Sequence, residues 1–105
     1  GPFGPWLVTR DEIPDPSVLT LTTRLNGKVM QHATTDLLIF TIPVLINYIS
    51  RFTCLETGDV IVSGTPGGVG FKRDPQVFMK PGDVVEIEIS SIGVLSNPVE
   101  AEPDA

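Results

Sequence analysis

The stretch Val18-Leu-Thr-Leu-Thr-Thr-Arg-Leu-Asn-Gly-Lys-Val-Met-Gln31 decides the fold of this chain. Its first part, Val18–Arg24, alternates apolar and hydroxyl residues, a pattern typical of a half-buried strand. Asn26-Gly27 is the dipeptide that a two-residue hairpin turn prefers, because both residues tolerate a positive φ. Lys28–Gln31 then returns as the partner strand. The stretch therefore predicts an antiparallel hairpin and a sheet-based fold.

A β-branched run further along the chain, Val60-Ile61-Val62-Ser63, predicts a buried strand. It is followed by a loop, Gly64–Gly70, that contains four glycines, one proline and a single hydroxyl group, that of Thr65. Glycines allow main-chain N–H groups to approach a ligand closely, and the Thr65 hydroxyl can both donate and accept a hydrogen bond. Loops at strand ends often carry binding chemistry. Taken alone, however, this loop is more typical of a tight structural turn.

The remaining pattern predicts one helix and further strands. Apolar residues recur at three- and four-residue steps over Ile42–Phe52, which predicts an amphipathic helix with Pro43 in its first turn. The similar segments 55–61 and 79–85 each combine a Gly-Asp turn with a β-branched run, so each predicts a turn that starts a strand. Residues 92–96 predict the last strand. With four or five strands and one short amphipathic helix, the expected fold class is β-rich α+β.

Composition and charge argue against two classes of partner, nucleic acids and membranes. The chain has 105 residues, of which 13 are acidic and 7 basic, giving a formal net charge of −6 at pH 7. It has no basic stripe that could follow phosphates, so nucleic acid is not an expected partner. No apolar run approaches the ~18 residues needed to cross a bilayer, so no membrane association is expected. The sequence is that of a globular domain, or of a piece of one.

Cys54 is the sole cysteine, which excludes an internal disulfide and predicts a reducing location, the cytoplasm. Its apolar neighbours favour an inert core thiol over a nucleophile. Three acids lie within residues 100–105, and this segment is expected to form an acidic, solvated tail.

The other polar residues are weaker candidates for chemistry. Glu86 and Glu88 alternate on one predicted strand and share a face, as a divalent cation or an acid/base pair would require. The apolar residues between and beside them would take the buried side, so a solvated face is the favoured interpretation. A new metal site at this pair is the less favoured alternative. His32 has no Ser or Cys at nucleophile-like spacing, so no catalytic triad is predicted.

Six motifs occur in a fixed order along the chain. They are Gly4-Pro5-Trp6-Leu7-Val8-Thr9, Asn26-Gly27 with Gln31, Thr35, Leu55-x-x-Gly58-Asp59-Val60-Ile61, Gly64-Thr65-Pro66-x-Gly68-Val69-Gly70 and Pro81-Gly82-Asp83-Val84-Val85. In this order and spacing they resemble the C-terminal half of the fumarylacetoacetate hydrolase family, including members of the 2-hydroxyhepta-2,4-diene-1,7-dioate isomerase and acylpyruvate hydrolase types. The resemblance divides the chain into residues 1–99, the C-terminal half of a catalytic domain, and the acidic tail, residues 100–105.

The resemblance implies a mixed β-roll, in which an N-terminal half contributes further strands and this half contributes one short amphipathic helix. It also implies Mg²⁺- or Mn²⁺-dependent chemistry on small 2-oxo or 1,3-dicarbonyl acids. Members of the family hydrolyse carbon–carbon bonds, isomerise 2-hydroxyhepta-2,4-diene-1,7-dioate or decarboxylate oxo-acids. In each case the cation stabilises the negative charge that develops on the oxo-enolate part of the substrate.

The resemblance also fixes which site residues are expected here. The family's metal ligands, a Glu-x-Glu pair and an Asp helped by a Lys, precede the Gly-Pro-Trp motif, so this chain is expected to hold no metal ligand and no catalytic residue. Glu86-x-Glu88 is not that pair, because it follows the Gly-Thr-Pro loop. Thr65 matches the position that touches the carboxylate end of the substrate, and Gly64 is expected to present a backbone N–H beside it. Gln31 and Thr35 match positions expected to serve packing and hydrogen bonding near the site.

The resemblance therefore implies half of an enzyme, inactive alone. The expected partners are a small oxo-acid substrate, the missing N-terminal half or a companion chain, and further copies in a homo-oligomer. A truncated, cleaved or split protein would each give this arrangement. The alternative is a non-catalytic remnant or interaction module that keeps the scaffold without the metal site.

Overall fold

A four-stranded antiparallel sheet forms the centre of the computed structural model, which describes residues 1–102. Its strands are β1 (Thr20–Leu25), β2 (Lys28–Thr34), β3 (Val84–Ile89) and β4 (Gly93–Pro98). They lie side by side in the order β2-β1-β3-β4. One helix, α1 (Ile42–Ile49), lies between β2 and β3 in the chain. The β-rich α+β class predicted from the sequence is thus confirmed. Part of the predicted acidic tail, residues 103–105, lies outside the described residues.

The β1–β2 hairpin turns at Asn26 and Gly27, whose φ angles of 51° and 77° fit the predicted turn. Its ladder is interrupted by a β-bulge, because Thr23 pairs with Gln31 whereas Arg24 pairs with Val29. A bulge bends its strand and redirects the neighbouring groups. Here it lies where β2 meets the Gly64–Gly70 loop.

A polar clamp joins the hairpin turn to the start of β3. The Asn26 side chain donates to Asp83 Oδ1 at 2.9 Å and accepts from the Val84 N–H at 2.8 Å. Asp83 Oδ2 accepts from the Lys80 N–H at 2.9 Å, and the Asp83 residue is only 6% exposed. Since a carboxylate with several donors is favoured in its charged form, the Asn26 amide, the Lys80 N–H and the nearby Lys80 charge lower the pKa of Asp83.

Thr35 ties the end of β2 to the segment that enters β1. Its hydroxyl donates to the Pro16 carbonyl at 2.6 Å and accepts from the Leu19 N–H at 2.9 Å. Leu19 is the one buried large apolar residue in the described part of the chain, at 8% exposed. Thr35 therefore serves hydrogen bonding, as the sequence predicted, and its contacts are with the β1 entry segment.

The helix is shorter than predicted. It ends at Ile49, because Arg51 and Phe52 bond to carbonyls three residues back, the geometry of a tightening turn. Pro43 lies in the first turn, as predicted, where its missing N–H has no intrahelical acceptor to serve. Within residues 1–102, no helix has the length and hydropathy that a membrane-spanning helix needs.

Two sequence predictions were wrong. Val60–Ser63 is not a buried strand, since Val60 and Val62 are 60% and 89% exposed and no described strand lies alongside to pair with its backbone. Cys54 is exposed and is not a core thiol. It follows the helix end in an extended segment that runs over the surface of the described fold.

The chain exposes far more surface than a closed domain does. Its accessible area is 8384 Å², whereas a folded monomer of this size exposes about 5,700 Å². The Cα radius of gyration is 15.8 Å, against about 13 Å for a compact domain of similar length. The excess includes large apolar side chains in the segments that connect the helix and strands, among them Trp6, Ile39 and Phe78. The sheet is formed, but the described residues do not close a hydrophobic core around it.

Two glycines of the Gly64–Gly70 loop have no room for a side chain, one because it packs against β2 and the other because it packs against Val77. A Cβ at Gly68 would overlap the Met30 carbonyl oxygen, and one at Gly70 would overlap that of Val77. Gly68 also has a φ of 104°, in the region that favours glycine. Gly67, by contrast, has open space around its Cβ position.

Acid should weaken the clamp at Asp83. Because the pKa of Asp83 is lowered in the fold, its contribution to stability is complete above its ordinary pKa of about 3.9 and is lost as the pH falls through the lowered value. Asp83→Asn should therefore lower the Tm at neutral pH and flatten the fall in Tm between about pH 5 and pH 2. Calorimetry across that range measures both. Asp59→Asn is the control, since the side chain of Asp59 accepts from the Glu56 N–H within its own turn. If the Tm of wild type and of Asp83→Asn fell equally between about pH 5 and pH 2, the role assigned to Asp83 would be contradicted.

Gly68→Ala should displace the loop from β2. The added methyl group meets the Met30 carbonyl and requires a strained φ, so we expect a loss of about 1–3 kcal/mol in the free energy of unfolding, measured in denaturant. Gly67→Ala is the matched control and should change stability by less than about 0.5 kcal/mol. Equal stabilities for the two variants would contradict the close packing described above.

Candidate functional site

The glycine loop is attached to β2 through the Gln31 side chain. The Gln31 amide nitrogen donates to Thr65 Oγ1 at 2.9 Å and to the Pro66 carbonyl at 2.8 Å. Gln31 itself is partly buried next to the bulge. The strand thus holds the only hydroxyl of the loop at a fixed place, in agreement with the hydrogen-bonding role predicted for Gln31.

Arg73 makes a second attachment between the same loop and strand. Its Nε donates to the Gly68 carbonyl at 3.1 Å, and its Nη2 donates to the Met30 carbonyl. The guanidinium therefore bridges the loop and the bulge, using its fork of donors on two carbonyl oxygens. Sequence reasoning missed this role. Nothing in the sequence around Arg73 indicates a partner as distant in the chain as Met30.

Thr65 lies at the boundary between two cavities. One, of about 500 Å³, lies between the sheet and the segment 68–79 and is lined mainly by apolar side chains. The other, of about 810 Å³, lies between the loop, the end of β2 and residues 37–45. Gln31 also lines the first cavity, and Gly64 lines the second. Thr65, which is exposed, lines both cavities.

The loop offers donors and no charge. Within residues 1–102, the backbone N–H groups of Gly64, Thr65 and residues 67–70 make no hydrogen bond to another group of the chain, and Pro66 has no N–H. Gly64 has a φ of 112°, a backbone conformation open to glycine but strained for other residues. Successive free N–H groups in a turning loop form a concavity that accepts anionic oxygens. The arrangement suits a carboxylate, while the residues predicted to bind it, Thr65 and Gly64, stay a prediction at this point.

The paired glutamates do not form a metal site in the described residues. Glu88 makes an ion pair with Arg24 at 2.7 Å, and its side chain is 44% exposed, in keeping with the solvated face predicted for this pair. No group of three or more His, Cys, Asp or Glu residues within 1–102 is arranged to hold a metal ion. Hard cations such as Mg²⁺ need several oxygen ligands. The described residues thus do not fit a divalent cation.

His32 is engaged in a structural contact on the polar face of the sheet. Its Nδ1 lies 3.0 Å from Thr22 Oγ1, and Thr22 is 8% exposed. The register places Thr22 between His32 on β2 and Glu88 on β3. Among residues 1–102, the contact that His32 makes is with the largely buried hydroxyl of Thr22, which joins β1 to β2.

Comparison with known proteins identifies the family of this chain. The model of the fumarylacetoacetate (FAA) hydrolase C-terminal domain matches residues 1–100. A mitochondrial oxaloacetate tautomerase from Xenopus laevis is 48% identical over 98 residues, which cover 93% of this chain and 31% of that protein. The chain thus spans about a third of the length of the curated relatives it matches.

Solved structures share the fold. A fumarylacetoacetate hydrolase from Exiguobacterium antarcticum superimposes with a TM-score of 0.92 and 42% identity, covering 96% of this chain and 36% of that one. Maleylpyruvate hydrolase from Sphingobium sp. SYK-6, in complex with manganese and pyruvate, gives a TM-score of 0.81 and 35% identity, covering 92% and 34%. On the family match, the identity and the shared fold, this chain belongs to the fumarylacetoacetate hydrolase family, of which it is similar to the C-terminal part.

Proposed function

We propose that this chain is the C-terminal part of an enzyme that acts on small 2-oxo acids, and that its glycine loop binds the carboxylate of the substrate. The observation that carries the proposal is the Thr65 hydroxyl, held by Gln31 at the boundary of two cavities beside a run of free N–H groups. Neutral donors fixed in advance bind an anionic oxygen without reorganising. A family member solved in complex with manganese and pyruvate, and relatives named as oxaloacetate tautomerases, support this ligand class.

The reaction we propose is a keto–enol isomerisation or the hydrolysis of a carbon–carbon bond next to a 2-oxo acid. Both need stabilisation of an enolate charge and a fixed position for the oxo-acid. Oxaloacetate is the first substrate to test, because relatives at 45–48% identity are named as its tautomerases. In this scheme Thr65 and the Gly64 N–H bind the carboxylate end and thereby orient the carbon to be deprotonated or attacked.

We propose that the positive charge that stabilises the enolate comes from a divalent cation whose ligands lie outside this chain. Mg²⁺ or Mn²⁺ would supply it in the complete enzyme, and a manganese-bound family member supports a divalent cation. Because the described residues hold no suitable ligand cluster, we propose that the metal ligands belong to the N-terminal half or to a companion chain. The contribution of this chain is then to bind and orient the substrate.

We also propose an assembly. The exposed apolar surface and the unpaired Val60–Ser63 segment are suited to pairing with the missing half, and beyond it with a second copy in a homo-oligomer. Exposed edges and apolar patches favour such association. The exposed single cysteine is compatible with the reducing cytoplasm that we propose as the location.

A second candidate function is a non-catalytic interaction module. The observation in its favour is the lack of a metal-ligand cluster among residues 1–102. In that case the scaffold and its exposed surface would serve a protein partner only. Mg²⁺- or Mn²⁺-dependent turnover of an oxo-acid by the full-length protein excludes this alternative, whereas a full-length protein that lacks Glu-x-Glu, Asp and Lys upstream of Gly4 would favour it.

Replacing Thr65 tests the proposed role of the loop. In the full-length enzyme, Thr65→Val should lower kcat/KM for oxaloacetate about 5- to 150-fold, the effect of removing a hydrogen bond to a charged group worth roughly 1–3 kcal/mol. Thr65→Ser keeps the hydroxyl and is the control, with kcat/KM expected within about threefold of wild type. Steady-state kinetics with unchanged kcat/KM for Thr65→Val would remove Thr65 from the site.

A further inference from the structure

Met30 is the extra residue of the β-bulge in β2. Thr23 pairs with Gln31 and Arg24 pairs with Val29, so Met30 has no partner residue on β1. A bulge leaves its extra residue unpaired and disrupts the ladder locally. The Met30 carbonyl accepts instead from the side chain of a residue 43 positions further along the chain, Arg73.

The turn that follows the glycine loop directs Arg73 back onto that loop. Residues Gly70–Lys72 form a short 3₁₀ turn, after which the Arg73 N–H donates to the Gly70 carbonyl at 3.2 Å. With the backbone folded in this way, Arg73 Nε donates to the Gly68 carbonyl at 3.1 Å while Nη2 donates to Met30. One side chain therefore joins the loop to the bulge, and we call this contact the Arg73 bridge.

The bridge suits an arginine and a glycine. Its two hydrogen bonds start from different nitrogens of one planar group, whereas the donors of a lysine all lie on a single nitrogen. Among the residues that the structure describes, no carboxylate forms an ion pair with Arg73, so its charge strengthens the bonds to the two carbonyls. A Cβ at Gly68 would lie 3.4 Å from Arg73 Nη2 and would overlap the Met30 carbonyl, so glycine leaves room for the contact.

The bridge attaches a part of the loop that Gln31 does not reach. Gln31 binds the start of the loop, at Thr65 and Pro66, whereas Arg73 binds it at Gly68. The free N–H groups of the loop do not hold it to the sheet, since within residues 1–102 they make no hydrogen bond to the chain. Polar groups that are fixed before a ligand arrives do not have to reorganise when it binds.

We propose that Arg73 is a positioning residue, whose guanidinium holds the glycine loop against the β-bulge, and that substrate binding by the loop depends on this bridge. The inference rests on the proposed function, because it takes the loop to contact the substrate. It adds to that function a residue outside the loop that acts on the substrate through the loop.

The test is chemical rescue of Arg73→Ala in the full-length enzyme with Mn²⁺ present. The change removes the guanidinium and leaves space for a free guanidinium ion. We expect kcat/KM for oxaloacetate to fall about 5- to 30-fold, mainly through a higher KM, because the loop binds substrate and transition state alike. Millimolar guanidinium chloride should recover kcat/KM several-fold, whereas methylammonium, a cation without the fork of donors, should not.

Rescue is a readout that a general loss of stability does not give. Guanidinium unfolds proteins at molar concentration and lowers stability in proportion to its concentration, so a merely destabilised variant gains nothing from it. Arg24→Ala is the matched control. Arg24 is also a partly buried arginine, but it pairs with the Glu88 carboxylate at 2.7 Å, away from the loop. Its removal should leave kcat/KM within about twofold of wild type, with no gain from guanidinium, whatever it does to the Tm.

Arg73→Lys is the second variant, for use if Arg73→Ala does not fold. It keeps the charge and most of the stem but cannot place separate donors on both carbonyls. We expect KM for oxaloacetate to rise about 3- to 10-fold with kcat close to that of wild type. A KM equal to that of wild type in this variant would overturn the inference.

The outcomes separate the inference from the function on which it rests. If Arg73→Ala keeps the wild-type KM, is not rescued by guanidinium, or is rescued equally by methylammonium, while Thr65→Val is impaired, only the role of Arg73 is overturned. If guanidinium rescues Arg73→Ala but Thr65→Val has wild-type kinetics, the bridge stands and the proposed contact of Thr65 with the substrate falls. If neither variant changes kcat/KM, both are overturned.

Discussion

The pairing of β1 with β3 is the constraint on which the rest of the structure depends. These strands lie more than fifty residues apart in the chain, yet they pair in register from Leu21 opposite Ile89 to Leu25 opposite Val85. Side-chain hydrogen bonds stabilise both ends of this pairing. At one end Asn26 donates to Asp83, and at the other the Ser90 hydroxyl accepts from the Thr20 N–H at 2.8 Å. Pairing two strands so far apart in the chain costs conformational entropy, because a long loop must be closed. The side-chain hydrogen bonds at both ends add to the strand pairing and help to offset this cost. The sheet then provides a fixed base for the bulge and the glycine loop.

The two Gly-Asp segments explain how far local sequence determines this fold. In each, the aspartate accepts from the N–H three residues before it, Asp59 from Glu56 and Asp83 from Lys80, so both turns form as the sequence predicts. Only the second turn starts a strand. The residues after Asp83 meet neighbours on both sides, whereas no described strand lies beside the residues after Asp59. The turn is a local property, but a strand needs a partner, and β-propensity cannot supply one.

The same distinction between local and long-range contacts decides which features of the candidate site could be predicted from the sequence. The hairpin, the α+β class and the place of Thr65 in the glycine loop follow from short patterns and from the family resemblance. The β-bulge that redirects Gln31 and the bridge from Arg73 to the Met30 carbonyl do not, because both are set by which residues meet across the fold. Backbone carbonyls carry no side-chain signal, so an arginine that binds two of them looks in the sequence like any surface cation. The prediction for Cys54 was wrong for a related reason: apolar neighbours in the sequence do not bury a residue unless other parts of the fold pack over it, and none does so in the described residues.

On the proposed function, the exposed area and the lack of charged side chains within residues 64–70 reflect one division of roles between this chain and the rest of the enzyme. An enzyme that stabilises an enolate needs positive charge near the enolate oxygen, where negative charge develops, whereas charge at the carboxylate end binds substrate and transition state alike and adds little to the rate. On the same proposal, neutral donors such as the Thr65 hydroxyl position the carboxylate without the equal stabilisation of substrate and transition state that a charge would bring. A segment that supplies only such donors has no reason to contain ionisable ligands, and a segment whose cavity is completed elsewhere must leave apolar surface open. On the proposed function, the 8384 Å² of accessible surface and the lack of a metal-ligand cluster within residues 1–102 therefore have the same origin.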